Sequence, residues 1–270
     1  MAKVSVIMAV YNTENFLKEA IESILWQDFK DFEFIIIDDA SSDWSFEILS
    51  KYASLDQRIK LFKNDINQGI SYTRNRLISL SSTNYIATQD SDDVSMKNRL
   101  SLCFDFLSTN SDYSAVSGNT FIIDETGKFL GKRNYSDNIA YRILKKSPLA
   151  NPASLFRKDI FLKLWGYQEG LNYGEDYDLW LKMYVQWYKL KNLPYDLACI
   201  RLRKGQTKSS KIKETLKNTL SLQKNALLKY KLIPSYSDRI YWFFENILYY
   251  LIPSSILFSL FKIIEYRKWK

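Results

Sequence analysis

The chain of 270 residues contains no histidine. Catalytic triads that use histidine as the base are therefore excluded, and so are metal sites built on imidazole ligands. A general base in this protein must be a carboxylate or, less favourably, a lysine, tyrosine or cysteine. The two cysteines, Cys103 and Cys199, have no paired spacing, so we expect neither a disulfide framework nor a zinc site.

The glycine-rich motifs of common nucleotide-binding folds are also missing. None of the eight glycines belongs to a Gly-x-Gly-x-x-Gly fingerprint or to a Gly-x-x-x-x-Gly-Lys-Ser/Thr phosphate loop. The hypotheses of a nicotinamide dehydrogenase and of a P-loop nucleotidase therefore lose their main support.

Long apolar runs are scarce. The first, Val4–Val10, is short, and polar residues follow it at once, so no secretory signal is expected. We therefore expect a protein of the cytoplasmic, reducing compartment. Near the other end, residues 246–261 are 16 uncharged positions interrupted by Pro253. That run falls short of the roughly 20 apolar residues that a spanning helix needs.

The net charge of +8 is unevenly distributed. Residues 201–270 hold 15 Lys and Arg against 4 Asp and Glu, whereas residues 1–200 hold 23 against 26. A basic tail fits nucleic acid or an anionic membrane surface, which attracts each nearby Lys or Arg by about 1 kcal/mol. Because the tail also carries the 246–261 run, followed by Arg267, Lys268 and Lys270, we favour an in-plane or re-entrant helix at a membrane surface. A helix hairpin that packs on the domain or on a dimer partner is the alternative.

Apolar periodicity predicts alternating strands and helices in the first half of the chain. Helices are expected over 14–26, 44–53, 70–79, 96–107, 136–144, 157–164 and 177–186. Strand pairs are expected at 115–123 with 127–130 and at 187–193 with 198–203, and a short strand at 151–156.

Three of the expected strands are mostly apolar and end in polar residues. The ends are Tyr11 with Asn12, Asp38 with Asp39, and the run Asp90-Ser91-Asp92-Asp93. Apolar strands separated by helices are typical of a parallel α/β sheet. Ligands of such sheets bind beyond the carboxyl ends of the strands, so these polar residues are the candidate site.

The run from Asp90 to Asp93 is the most informative of the three. Unpaired carboxylates at the end of a buried strand repel one another, so packing gains nothing from them. A hard divalent cation offsets that repulsion, because carboxylate oxygens can share Mg²⁺ or Mn²⁺ with substrate phosphates. The run predicts a metal–diphosphate site; a solvated turn is the alternative, and Asp93 is expected to cap the next helix.

Four motifs in order resemble glycosyltransferase family 2 with the GT-A fold. They lie at residues 4–12, 36–43, 90–93 and 174–180, and the resemblance covers about residues 1–205. It implies an α/β protein with a Rossmann-like, mostly parallel sheet flanked by helices, to which the composition adds a C-terminal helical tail that is basic and apolar. Residues 1–100 would be the nucleotide-sugar-binding half and 101–210 the acceptor-binding half. Residues 211–270 would be a helical segment that associates with membrane or oligomerises.

The resemblance also implies how the donor binds. Asp39 would accept a hydrogen bond from the pyrimidine base, usually uracil, while Tyr11 and the backbone near Ala9 flank that base. Arg74 would bind the diphosphate of the nucleotide, with Arg76 as the alternative.

The remaining implied roles concern the metal and the base. Asp92 would ligate Mn²⁺ or Mg²⁺ directly, and Asp90 would reach the ribose or a metal-bound water. Asp176 would be the general base that deprotonates the acceptor hydroxyl, with Glu175 helping to place the acceptor. The family often has a histidine after this Glu-Asp helix, but here that region holds Arg203, which cannot ligate a metal. Arg203 is expected to contact the diphosphate, and whether the metal is essential stays open.

These inferences predict an inverting glycosyltransferase on the cytoplasmic face of the cell membrane. It would move a sugar from a nucleotide donor, which the family resemblance predicts to be UDP-linked, to a lipid-linked or polysaccharide acceptor in cell-surface glycan synthesis. A homo-oligomer is compatible with the tail, and no nucleic acid is expected. Two alternatives stay open: a non-catalytic subunit that binds a nucleotide sugar, and a sugar nucleotidyltransferase.

Overall fold

The computed structural model describes residues 2–171, 173–203, 212–253 and 256–257. Its strands are β1 (Val4–Val10), β2 (Phe32–Asp38), β3 (Ile59–Lys63), β4 (Tyr85–Asp90), β5 (Val94–Ser95), β6 (Tyr113–Ile123), β7 (Phe129–Arg133), β8 (Leu155–Arg157) and β9 (Lys189–Arg201). Its helices are α1 (Glu14–Leu25), α2 (Ser45–Leu55), α3 (Ile70–Leu80), α4 (Arg99–Thr109), α5 (Ile139–Ile143), α6 (Lys158–Lys163), α7 (Glu175–Val185), α8 (Ile212–Leu228) and α9 (Tyr236–Leu251), with a 3₁₀ turn at Asn151–Ala153.

The described strands form one mixed sheet in the order β3-β2-β1-β4-β8-β6-β9-β5, with β7 paired to β6. The first four strands of this order are parallel. Alternate side chains of β1 enter opposite cores: Val6 and Met8 lie in the core that includes α1, and Ile7 lies in the core that includes α3. Burial on both faces explains why these strands are mostly apolar.

The register places the candidate site residues at one edge. Val10 of β1 lies opposite Asp38 of β2, and Ala9 lies opposite Asp90 of β4. The polar residues that follow these strands therefore meet at the carboxyl edge, as the sequence predicted. The expected α/β sheet with helices on its faces is confirmed.

The second half of the sheet curls back toward the first. Strand β4 reaches β9 through β8 and β6, and β9 then pairs antiparallel with β5. Only residues 91–93 separate β4 from β5 in the chain. The loop at 91–93 therefore lies between β4 and the carboxyl end of β9.

One expectation for this half is wrong. Residues 187–193 and 198–203 do not form a strand pair, because Lys189–Arg201 is a single strand, β9, that pairs with β6 along its length. A register shift opposite 118–120 leaves Pro194 and Tyr195 out of the pairing. Proline has no N–H to donate, and a bulge tolerates it. The residues around Pro194, which the sequence indicated as a turn between two strands, form this bulge.

Two other boundaries also differ from expectation. Helix α4 begins at Arg99 rather than at residue 96, because Val94–Ser95 pairs with β9 and the Met96 N–H donates to the Leu197 carbonyl at 3.0 Å. The expected strand at 151–156 is a 3₁₀ turn followed by the short strand β8. The other helices begin and end within about three residues of their expected bounds.

The C-terminal helices α8 and α9 pack on the body of the protein. Leu222 and Ala226 of α8 are buried in the core that contains Trp180 of α7. From α9, Trp242 donates its indole N–H to the Leu144 carbonyl at 2.6 Å. No helix in the described ranges is long and apolar enough to cross a membrane. Of the tail predicted to meet a membrane, Arg267, Lys268 and Lys270 lie outside the described residues.

A buried carboxylate holds the amino-terminal edge of the sheet. Glu33 of β2 accepts hydrogen bonds from the Ser5 hydroxyl at 2.5 Å, from the Ser82 N–H at 2.7 Å and from the Lys60 ammonium at 2.5 Å. Burial alone would raise the pKa of Glu33, but these donors outweigh it and lower the pKa from 4.5 to about 2.

We expect Glu33→Gln to lower the free energy of unfolding by about 1–3 kcal/mol at pH 7, because an amide cannot satisfy these donors as a carboxylate does. The folded-state pKa is depressed, so the stabilisation by Glu33 is complete above pH 4.5 and is lost as the pH falls toward 2. Urea unfolding at pH 7 and pH 3 measures both effects.

Asp31→Asn is the matched control, because the Asp31–Lys3 pair is more than half exposed and its loss should change stability by less than about 0.5 kcal/mol. Equal stability of Glu33→Gln and the wild type at pH 7 would contradict the prediction.

Candidate active site

The loops after β1 and β2 are hydrogen-bonded to each other. The Asn12 N–H donates to the Ser41 hydroxyl at 3.0 Å, and the Asn12 side-chain carbonyl accepts from the Ser42 N–H at 2.8 Å. Tyr11, which is 50% exposed, precedes this contact. The predicted base-stacking residue therefore has an accessible ring on a fixed loop, next to Ala9 of β1.

Asp39 is buried and fixes the loop between β3 and α3. One carboxylate oxygen accepts from the Asn64 amide at 2.6 Å and from the Gln68 N–H at 3.0 Å, and the other accepts from the Gly69 N–H at 3.0 Å. Its neighbour Asp38 also holds a loop, because it accepts from the Ser41 N–H at 3.1 Å. Because a carboxylate has about four acceptor positions, the three donors leave Asp39 able to accept from one more.

Arg74 of α3 joins two parts of the chain that are far apart in sequence. Its guanidinium donates to Asp90 at the end of β4 at 2.6 Å and to Glu175 at the start of α7. Of the two candidate arginines, Arg74 therefore lies in the site. Arg76 instead binds the Lys63 carbonyl at 2.9 Å and the Asn64 side chain, so it holds the end of β3.

The acidic side chains near Arg74 outnumber its single positive charge. Burial would lower the pKa of Arg74, but Asp90 and Glu175 outweigh it and raise the pKa. Burial raises the pKa of Glu175 to about 7; Arg74 opposes this rise, and Asp176 adds to it. Two carboxylates therefore bond to one buried guanidinium, and Asp176 lies close enough to act on the pKa of both Arg74 and Glu175.

Asp176 is the more accessible of the two acids that open α7. Glu175 is buried against Arg74, whereas Asp176 is only partly buried. Gly174, in the left-handed conformation with φ of 85°, turns the chain into the helix. The positive end of the helix dipole favours a charged carboxylate in this first turn. The arrangement suits Asp176 for contact with a bound substrate.

Arg203 pairs with the carboxylate that the sequence predicted as the metal ligand. Its Nε donates to Asp92 at 2.8 Å, and both side chains keep some exposure, 21% and 12%. Two residues earlier, Arg201 is buried and binds the Asp92 carbonyl at 3.0 Å, while its N–H donates to the Asp93 carboxylate at 2.8 Å. Asp93 therefore connects the loop to β9. The expectation that Asp93 caps α4 is wrong.

The described residues contain no cluster of three or more acidic, histidine or cysteine side chains arranged to hold a metal. Asp90 and Asp92 nevertheless supply carboxylate oxygens, the donors that Mg²⁺ and Mn²⁺ prefer. Each of these two carboxylates has an arginine partner. The residues present fit a cation that takes its remaining ligands from a diphosphate rather than one held by the protein alone.

Sequence reasoning missed two residues of this site. Asn151 of the 3₁₀ turn donates to Asp90 at 3.3 Å, and no motif marks it. Arg201 supports the 91–93 loop through its bond to the Asp92 carbonyl. Side chains alternate along a strand, so the order Arg201-Leu202-Arg203 at a strand end indicates that both arginines point to one side. Both guanidiniums lie over the Phe16 ring, at 5.2 and 5.4 Å from its centre.

Comparison with known proteins agrees with this geometry. A family model described as glycosyl transferase family 2 matches residues 5–165. The putative glycosyltransferase EpsE of Bacillus subtilis is 36% identical over 203 residues, which are 74% of this chain and 73% of that protein. The O-antigen biosynthesis glycosyltransferase WbnJ of Escherichia coli is 36% identical over 214 residues, which are 77% and 82%.

Solved structures show the same fold. Residues 1–349 of S. aureus TarS in complex with UDP-GlcNAc match with a TM-score of 0.69 at 22% identity, over 96% of this chain and 75% of that chain. The mannosyltransferase PcManGT of Pyrobaculum calidifontis, in complex with GDP-Man and Mn²⁺, matches with a TM-score of 0.64 at 14% identity, over 98% and 86%. The GT-A fold expected from the sequence is confirmed.

We expect Arg74→Gln to lower the free energy of unfolding by about 2–4 kcal/mol, because it leaves Glu175 and Asp90 without their shared cation. The double variant Arg74→Gln with Glu175→Gln should be less destabilised than the sum of the two single changes. Urea unfolding at pH 8, above the pKa of about 7 that Glu175 has beside Arg74 in the wild type, measures all three.

Arg76→Gln is the matched control on the same helix, with an expected loss of about 1 kcal/mol. Additive losses in the double variant would contradict a direct Arg74–Glu175 interaction.

Proposed function

The chain belongs to glycosyltransferase family 2 and is a glycosyltransferase, and on that premise we propose that it transfers a sugar with inversion from a UDP-linked donor. The acceptor is a lipid-linked sugar or a polysaccharide in cell-surface glycan synthesis. WbnJ, a relative named for O-antigen biosynthesis, and the UDP-GlcNAc complex of TarS support the acceptor and donor classes.

The observation that carries the proposal is the bridge that Arg74 makes between Asp90 and Glu175. Asp90 ends a strand of the nucleotide-binding half, residues 1–100, and Glu175 opens a helix of the acceptor-binding half, residues 101–210. A transferase must bring its donor and its acceptor within bonding distance. Arg74 is one buried side chain that joins the two halves, and it thereby holds the donor-binding residues close to the acceptor-binding residues.

The donor binds at the carboxyl edge of the parallel strands. The base lies against Tyr11 and the backbone at Ala9, with Asp39 accepting a hydrogen bond from the ring. Arg74 and Arg203 face the diphosphate, where fixed guanidiniums recognise phosphate oxygens in a bidentate manner.

Asp92, with Asp90 beside it, holds a divalent cation, Mn²⁺ or Mg²⁺. PcManGT was solved with Mn²⁺ and a nucleotide sugar, which supports this class of cofactor. When bound, the ion supplies charge neutralisation for the departing diphosphate. The role of the two carboxylates is to position it at the end of β4.

Asp176 is the general base. Its carboxylate takes the proton of the acceptor hydroxyl as that oxygen bonds to the anomeric carbon, and the bond to the diphosphate breaks with its electron pair leaving on the nucleotide. Glu175, held by Arg74, orients the acceptor at the start of α7. No histidine is needed for this proton transfer, in keeping with a chain that has none.

Helix α9 provides the contact with the membrane surface. Its domain-facing side is polar or hydrogen-bonded, with Asp238 and Glu245 buried and Trp242 bonded to Leu144. Its outer side is apolar: Phe243 is 63% exposed and Phe244 is 58% exposed. Further apolar side chains are exposed along the helix at Tyr236, Ile240, Tyr250 and Leu251.

An outer face of this kind, on a tail with 15 basic and 4 acidic residues in 201–270, suits the surface of an anionic bilayer. We therefore place the protein at the inner face of the cell membrane as a peripheral enzyme. Such a position brings the site to acceptors that are carried by lipids.

The first test separates donor binding from chemistry. Asp92→Asn should weaken the binding of UDP with Mn²⁺ about tenfold, because it removes a metal ligand. Asp176→Asn should leave that binding unchanged and lower turnover about 10²–10⁴-fold, because it removes only the base. Calorimetric titration of UDP measures binding, and UDP release from UDP-GlcNAc and other UDP-sugars measures turnover.

Asp105→Asn, at an exposed position of α4, is the control and should match the wild type in both assays. UDP binding without turnover of any donor would favour a non-catalytic subunit. Failure to bind UDP, but binding of GDP or TDP, would correct the donor.

The second test addresses the membrane. Phe243→Glu with Phe244→Glu should reduce co-sedimentation with vesicles of anionic phosphatidylglycerol at least about tenfold, because a fully buried phenylalanine contributes about 1.5–3 kcal/mol. Vesicles of phosphatidylcholine alone should bind the wild type less well.

Trp26→Glu, at an exposed aromatic side chain outside the C-terminal helices, should bind anionic vesicles like the wild type. If the double variant instead changes only the oligomeric state in size-exclusion chromatography, the outer face of α9 is a subunit interface.

A further inference from the structure

The expected metal ligand Asp92 is held by an arginine in this structure. We propose that Arg203 guards Asp92 while no donor is bound and moves to the diphosphate when the donor arrives, so that cation and nucleotide bind cooperatively. The inference rests on the proposed function, in which Asp92 ligates the cation.

The two arginines at the end of β9 differ in how deeply they are buried. Arg201 is 1% exposed and is bonded to the Asp92 carbonyl, to the Asp124 and Glu125 carbonyls and to Glu19. Arg203 lies beyond the end of the strand and keeps 21% of its side chain exposed. Arg201 is therefore a fixed support of the loop, whereas Arg203 has the exposure that an exchange of partners requires.

Electrostatics make this exchange favourable only when both ligands are present. A cation that approaches Asp92 alone must displace the Arg203 guanidinium or meet its positive charge at close range. A diphosphate removes that repulsion, because it offers the guanidinium new anionic partners close to the carboxylate it leaves. The same diphosphate supplies oxygen ligands to the cation.

The rest of the described site gives a lone cation little else. Asp90 is bonded to Arg74 at 2.6 Å, and the described residues form no cluster of three acidic, histidine or cysteine side chains. Arg203 thus pairs with one carboxylate of a site whose other carboxylate is already paired with Arg74. By linkage, the factor by which UDP tightens cation binding equals the factor by which the cation tightens UDP binding.

The test measures Mn²⁺ binding without any turnover. Free Mn²⁺ is followed by electron paramagnetic resonance, with the protein alone and with saturating UDP. For the wild type, UDP should tighten Mn²⁺ binding by about tenfold or more. Arg203→Gln should bind Mn²⁺ alone about 5–10-fold more tightly than the wild type, and UDP should then add about threefold or less.

Two further variants make the assignment specific. Arg203→Lys keeps the positive charge, so its affinity for Mn²⁺ alone should stay near that of the wild type. Arg58→Gln removes a guanidinium from a pair of similar exposure, Arg58–Asp56 with 26% and 22%, and should leave every Mn²⁺ affinity unchanged. Thermal unfolding of each variant confirms that it is folded.

The outcomes distinguish the inference from the proposed function. If Asp92→Asn weakens Mn²⁺ binding in the presence of UDP but Arg203→Gln binds Mn²⁺ alone no better than the wild type, Asp92 is the ligand and Arg203 does not guard it. If Asp92→Asn binds Mn²⁺ with UDP as tightly as the wild type does, the proposed metal site is wrong and the inference fails with it.

Discussion

The site of this protein depends on one buried guanidinium that bonds to carboxylates from two segments far apart in the sequence. Arg74 meets Asp90, 16 residues away, and Glu175, 101 residues away. Other residues of α3 also bond to the segment before α7. Ser71 bonds the Leu171 carbonyl at 2.7 Å, and Asn75 exchanges two hydrogen bonds with the Tyr167 backbone. One face of α3 therefore holds the segment that leads to α7, and the charge of Arg74 at its centre opposes the rise that burial causes in the pKa of Glu175.

The curl of the sheet provides the other half of the site. Because β5 follows β4 after three residues but pairs with β9, the loop at 91–93 is fixed from both sides. Arg201 and Arg203 reach that loop from the end of β9. A short strand of two residues thus determines which side chains face Asp92. Without the β5–β9 pair, the carboxylates of the loop would not lie beside these two arginines.

Much of the first half of the fold could be predicted from the sequence, because strands buried on both faces are mostly apolar and end abruptly in polar residues. The positions of Asp39, Asp90 and Asp92 at one edge follow from that pattern alone. The bulge at Pro194 could not be predicted, since a proline between two apolar runs is equally typical of a turn. The partners of Asp39 and Asp92 were also beyond reach, because Asn64 and Arg203 meet them through the tertiary fold.

The loop at 91–93 also constrains the length of the chain, and not only its composition. From Asp90 to Val94 the backbone makes four steps, which span about 14 Å at full extension. Those four steps close a path that otherwise runs from β4 through β8, β6 and β9 to β5. The chain makes these steps as a turn, in which the Asp93 N–H donates to the Asp90 carbonyl at 3.2 Å. The same short loop therefore closes a ring of strands and places Asp92 against the end of β9.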